Sequence, residues 1–247
     1  MLPIRDHNPS GRTPFVTYGL IALNVAIFLS YWPLFNDERA LFQFYYDWAL
    51  IPRMVVRQGS YDSLLTSMFL HGGWLHLAGN MLFLWIFGDN MEEEMGHVGY
   101  LLFYIASGVG AGLIQVLSAP GSVVPTVGAS GAIAGVMGGY LLLFPKARVD
   151  VLIVLLFFIR IITIPAWIML ALWLAFQLVG GAVANPDEGG IAYWAHVGGF
   201  GVGIVLTIPL FMRRGGARYW LRTDGHPPNP PAENPFTRTR IPKVRRK

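Results

Sequence analysis

From Phe15 to Trp32 the chain reads FVTYGLIALNVAIFLSYW, with no charged residue. Five more apolar stretches follow, at about 72–90, 98–117, 128–145, 164–184 and 192–212. At about 1.5 Å rise per residue, such lengths are what a helix needs to cross a hydrocarbon core about 30 Å thick. A helix also satisfies its own backbone groups in lipid. These runs predict an all-α membrane protein of six transmembrane helices. Composition agrees, because only 13% of residues are charged, against about 25% in a typical soluble domain. Mean hydropathy is +0.49.

A further apolar run, VDVLIVLLFFIRIITIPA, precedes the fifth span. Arg160 interrupts it and Pro165 closes it, so it is read as an interfacial segment, with a seventh span as the alternative. The chain has no cysteine, which excludes disulfides and thiolate chemistry. The start, MLPIRDHNPSGRTPF, carries no signal-peptide cleavage pattern, and the first span is read as an uncleaved anchor. Residues 1–13 read as a cytoplasmic tail, 14–212 as the membrane domain and 213–247 as a disordered, basic, proline-rich tail.

Charge sets the expected orientation. Ten of the 18 Lys and Arg follow Met212, and only Arg39, Arg53 and Arg57 fall outside if the N-terminus is cytoplasmic. N-in, C-in is therefore expected. The basic tail is read as a positive-inside anchor near anionic lipid, not as a nucleic-acid contact. The aromatic-rich segment at about 33–63 is then external and suited to lipid headgroups.

Polar groups at membrane depth are costly and usually face the bundle interior or water. Four stand out: His76, Asn80, Ser130 and His196. His76 lies 16 residues before Glu92, Ser130 16 before Lys146 and His196 17 before Arg213. Each is therefore about 24–26 Å above the inner end of its own helix, so all three share one level near the outer surface. Asn80 follows His76 at i+4. His196, Gly199 and Gly203 share a helix face, and Gly131, Gly135 and Gly139 repeat every four residues. Small residues at that spacing let helices approach closely. The fourth and sixth spans are expected to touch there and to bring Ser130 to His196.

A serine becomes a nucleophile when a base takes its proton, and histidine is the usual base. Oxyanion donors would be the Ser130 amide at a helix N-terminus, His76 and Asn80. No Asp or Glu lies at membrane depth beside His196, and Asp187 and Glu188 sit in the external loop before the sixth span. The expectation is a Ser–His dyad. GASGA departs from the G-x-S-x-G elbow of soluble hydrolases at Ala132.

HGGWLHLAGN (His71 to Asn80), GASGAIAG (Gly128 to Gly135) and AHVGGFGVG (Ala195 to Gly203) together resemble the rhomboid intramembrane serine proteases, over about residues 14–212. The resemblance implies a six-helix rhomboid bundle with Ser130 as nucleophile and His196 as general base. It implies an oxyanion hole of His76, Asn80 and the Ser130 amide, with Gly128 admitting the substrate backbone. Substrates would be single-span membrane proteins, cut near the outer end of their helix. The fifth span and the loop after it would form a gate. No metal or cofactor is implied. Two departures stand out: GSYDSLLTSMFLH lacks the family's Trp-Arg pair, and Ala134 replaces the aromatic that stacks on the histidine. Trp194, near His196 in sequence, is the candidate to orient that ring.

Lone-residue readings are blander. His71 is expected to be structural, Asn24 to bond neighbouring backbone, and Glu92, Glu93 and Glu94 to form a solvated turn. His7, His97 and His226 are expected to be solvated. Rival functions are an inactive helix-binding relative, a transporter or channel, and a metalloprotease. No acidic residue at mid-membrane supports a transporter. No H-E-x-x-H motif supports a metalloprotease.

Overall fold

The computed structural model describes residues 2–155, 158–185 and 188–229. Its elements run β1 (Leu2–Asp6), α1 (Phe15–Tyr31), α2 (Glu38–Trp48), α3 (Pro52–Gln58), α4 (Ser63–Thr66), α5 (Trp74–Ser118), α6 (Ser130–Leu143), β2 (Arg148–Leu155), β3 (Phe158–Pro165), α7 (Ala166–Val183), α8 (Tyr193–Arg213) and α9 (Ala217–Thr223). Among the described residues, four helices are long and apolar enough to cross a membrane: Phe15–Asn36, Trp74–Ser118, Ala166–Val183 and Tyr193–Arg213. The 45-residue α5 breaks at Gly96, where φ is 71° and ψ is 163°, so the second and third apolar stretches are its two arms. The fourth stretch is the 14-residue α6.

α6 is the centre of the molecule. It packs between α5 and α8, and ten consecutive residues from Gly131 to Tyr140 are buried. An added Cβ at Gly199 would stand 2.1 Å from the Gly131 carbonyl oxygen, and one at Gly203 would stand 2.0 Å from that of Gly135. The expected contact between these glycine faces is therefore present, backbone against backbone. Gly139 departs from it, because its Cβ direction meets Met91 and Thr207.

The all-α expectation is corrected by a three-stranded antiparallel sheet in the order β1-β2-β3. The segment read as interfacial is a hairpin, paired from Arg148↔Pro165 to Leu155↔Phe158, and it is not a seventh span. The cause is its density of Val and Ile, with Ala147, Val149 and Val151 buried and the residues between them more exposed. That is the period of two that a strand requires. Residues 2–6, expected in a tail, form the third strand.

The acidic run is also corrected. Glu92 is 2% exposed and accepts from Val16 N at 2.8 Å, Thr17 N at 2.8 Å and Thr17 Oγ1 at 2.7 Å. α1 opens on Pro14 with no side-chain cap, so this carboxylate satisfies its free N–H groups from another helix. Glu92 also meets His97 Nδ1 at 2.6 Å, Glu93 accepts from Gly11 N, and Glu94 pairs with Arg214 at 2.7 Å. His97 is thus bonded, as is His7, 2.8 Å from Asp150. The segment expected as a disordered tail begins with helix α9, where Tyr219 is buried and Trp220 Nε1 donates to the Leu142 carbonyl. The basic end at 230–247 lies outside the described residues.

Before α5, the turn at His71 is locked. Its carbonyl accepts from Tyr31 and Tyr45 hydroxyls at 2.8 and 3.1 Å, and its N–H donates to Tyr31 at 2.6 Å. His71 is fully buried, which matches the structural role expected of it. Asn24 donates to the Leu20 carbonyl of its own helix at 2.7 Å.

Candidate active site

His76, Asn80, Ser130 and His196 line one cavity of about 1000 Å³. Ser130 is the first residue of α6, and its N–H has no partner within that helix. His196 stands in the first turn of α8. Ser130 Oγ and His196 Nε2 are 2.7 Å apart. This is the geometry through which an imidazole withdraws a hydroxyl proton.

His76 and Gly128 meet beside that pair. Gly128 has φ of 133°, a conformation that side chains disfavour. A Cβ there would stand 2.9 Å from His76 Nε2 and 3.4 Å from Ser130 Oγ, so glycine makes room for the ring as well as for the backbone turn. The Gly72 N–H donates to His76 Nδ1 at 3.2 Å. A neutral imidazole has one N–H, so Nε2, on the side of Gly128, is the donor. Asn80, one turn further along α5, is 7% exposed, and its Nδ2 has no partner among the described residues. An unsatisfied buried donor costs about 1–3 kcal/mol, and such groups collect where a ligand completes them.

The second nitrogen of His196 also has a partner. Its Nδ1 lies 2.8 Å from Oε1 of Gln177 on α7. Gln177 is the one polar side chain between Ala166 and Val183, apart from the tryptophan indoles, so the rule that singled out Ser130 applied to it equally. The ring beside His196 is Trp173, with centroids 5.8 Å apart and planes at 35°. Trp194 is not that ring, because it lies against Gly181. Gln115 is a further residue that sequence reasoning missed: its Oε1 accepts from Ala195 N at 3.2 Å, next to His196. Glu188 lines the cavity and accepts from Asn185 at 3.2 Å, whereas Asp187 lies outside the described residues.

Residues 58–213 match the family model described as Rhomboid domain. The chain is 29% identical over 198 residues to Rhomboid protein 1, mitochondrial, of Saccharomyces cerevisiae, covering 77% of this chain and 51% of that protein. It is 32% identical over 163 residues to Rhomboid protease GluP of Bacillus subtilis, covering 66% and 29%. It is 48% identical over 71 residues to Rhomboid-like protein 11, chloroplastic, of Arabidopsis thaliana, covering 29% and 25%. The chain thus spans about half or less of the length of these relatives.

Proposed function

The chain belongs to the rhomboid family, and on that premise we propose that it is an intramembrane serine endopeptidase. The observation that carries this reading is the 2.7 Å contact between Ser130 Oγ and His196 Nε2 inside a cavity that Asn80 and His76 also line. In the reaction, His196 Nε2 takes the Ser130 proton as Oγ attacks the scissile carbonyl. The oxyanion receives hydrogen bonds from the Ser130 amide, His76 Nε2 and Asn80 Nδ2. The imidazolium then protonates the leaving amine. Water, activated by the same histidine, releases the acyl group.

The six apolar segments act as six spans, N-in and C-in, so the site opens near the outer surface. The substrates are single-span membrane proteins, cut near the outer end of their helix, where helix-breaking residues expose the backbone. The setting is an integral one, and we assign a bacterial inner membrane, as composition suggests. Some relatives are named mitochondrial or chloroplastic. An inactive helix-binding protein is the second reading. The intact serine–histidine contact and the unpartnered Asn80 donor favour catalysis over it.

Reconstitution in liposomes with a panel of tagged single-span proteins tests this. One cut in the outer third of the substrate helix, located by product mass, is the expected result. Co-purification of intact helices with no cleavage of any of them would favour the inactive reading. Asn80→Ala is expected to lower kcat by about 10²-fold, the usual effect of losing one oxyanion donor. It should leave thermal stability unchanged or raised, because the amide donor it removes is unpaired among the described residues. Wild-type kcat in that variant would remove Asn80 from the oxyanion hole.

A further inference from the structure

α7 buries its side chains mainly at one end, and at the other Gly180 and Gly181 lie against Tyr193 and Trp194 of α8. Ala166, Met169 and Leu170 are buried, and beyond them the only buried residue of the helix is Gln177. Its neighbours Phe176, Leu178 and Val179 are exposed apolar side chains. A lone amide in such a helix is costly unless it is paired. Its partner is the imidazole: Oε1 lies 2.8 Å from His196 Nδ1, while the other ring nitrogen lies 2.7 Å from Ser130 Oγ.

We propose that Gln177 is the positioning residue of the site, holding His196 in the one tautomer that can act as a base. The inference rests on the proteolytic reading of Ser130 and His196. An amide oxygen can only accept, so the hydrogen it fixes is on Nδ1. Nε2 is then left with its lone pair facing the serine hydroxyl. When the Ser130 proton moves to Nε2, the ring carries both protons and one positive charge, and the Nδ1–H stays on Gln177 until the Nε2 proton passes to the leaving amine. A carboxylate in this place would stabilise that cation further, but it would itself be a charge at membrane depth. A neutral amide gives orientation without a charge, as the asparagine does in Cys-His-Asn proteases. Trp173 lies one turn before Gln177 on the same helix. Both contacts that orient the ring therefore come from α7, in place of the aromatic that Ala134 lacks.

The test combines a tautomer measurement with two variants. ¹⁵N-histidine NMR of the wild-type protein in lipid is expected to give His196 as the Nδ1–H form. In Gln177→Met, which keeps the volume and loses the acceptor, that resonance should move towards the average of two tautomers. Its kcat should fall by roughly 10²-fold, below the ~10⁴ of a forced wrong tautomer in a charged triad. KM should stay within about twofold, because substrate binding is untouched. Gln177→Glu keeps an acceptor at the same reach and should recover most of the lost kcat. A merely structural glutamine predicts the opposite order, with the methionine variant active and the glutamate variant impaired. An Nε2–H tautomer in the wild type, or wild-type kcat in Gln177→Met, overturns the proposal. Absence of cleavage by the wild type would instead count against the proteolytic reading, while the tautomer measurement still decides the role of Gln177.

Discussion

Ser130→Ala is expected to abolish cleavage in liposomes while the protein stays folded. Loss of the nucleophile in soluble serine proteases costs on the order of 10⁶-fold in kcat. The residual rate should therefore be unmeasurable. The fold should tolerate the change, because Ser130 lines the cavity and its Oγ meets the His196 ring there. Alanine also has the highest helix propensity, and Ser130 opens α6. The check is cleavage rate beside thermal unfolding of the same preparation. A residual rate within tenfold of wild type, in a protein of unchanged stability, would remove Ser130 from the nucleophile's place.

The second large effect concerns packing. Gly199→Leu and Gly203→Leu are each expected to lower the unfolding temperature by 10 °C or about that. Overpacking where side chains can yield costs about 1–3 kcal/mol. Here the obstacles at 2.1 and 2.0 Å are the carbonyl oxygens of Gly131 and Gly135, and backbone cannot yield unless α6 and α8 separate. A cost of roughly 3 kcal/mol or more corresponds to about 6–12 °C for a chain of this size. Separation would also part Ser130 from His196, so activity should be lost with stability. Gly201→Leu is the control, since no atom lies within 4 Å of its Cβ position. Unchanged unfolding temperatures for Gly199→Leu and Gly203→Leu would contradict the packing described for α6 and α8.

The site was legible in the sequence because lipid makes polar residues conspicuous. Ser130, His76 and His196 could be assigned one level from helix rise and charge positions, with Asn80 a turn deeper, and the glycine spacing indicated which helices touch. The same rule should have reached Gln177. It escaped because a charged partner is the usual orienter of a catalytic histidine, and here a neutral amide serves that geometry. The hairpin of β2 and β3 was hidden because an apolar run of Val and Ile satisfies both a span and a buried strand, and Arg160 alone does not decide between them. The capping role of Glu92 is a contact between residues 75 and 76 positions apart, which no local pattern records. α9 is only seven residues long, too short to hold alone, and depends on the Trp220 bond to α6 and the burial of Tyr219.

The central claim is that His196 activates Ser130, and a fluorophosphonate probe reads this without any substrate. Purified wild type, Ser130→Ala and His196→Ala would be labelled side by side in detergent and in liposomes. The account predicts labelling of the wild type and none of either variant. A folded wild type that takes no label in either medium, or a His196→Ala protein labelled at the wild-type rate, would contradict it.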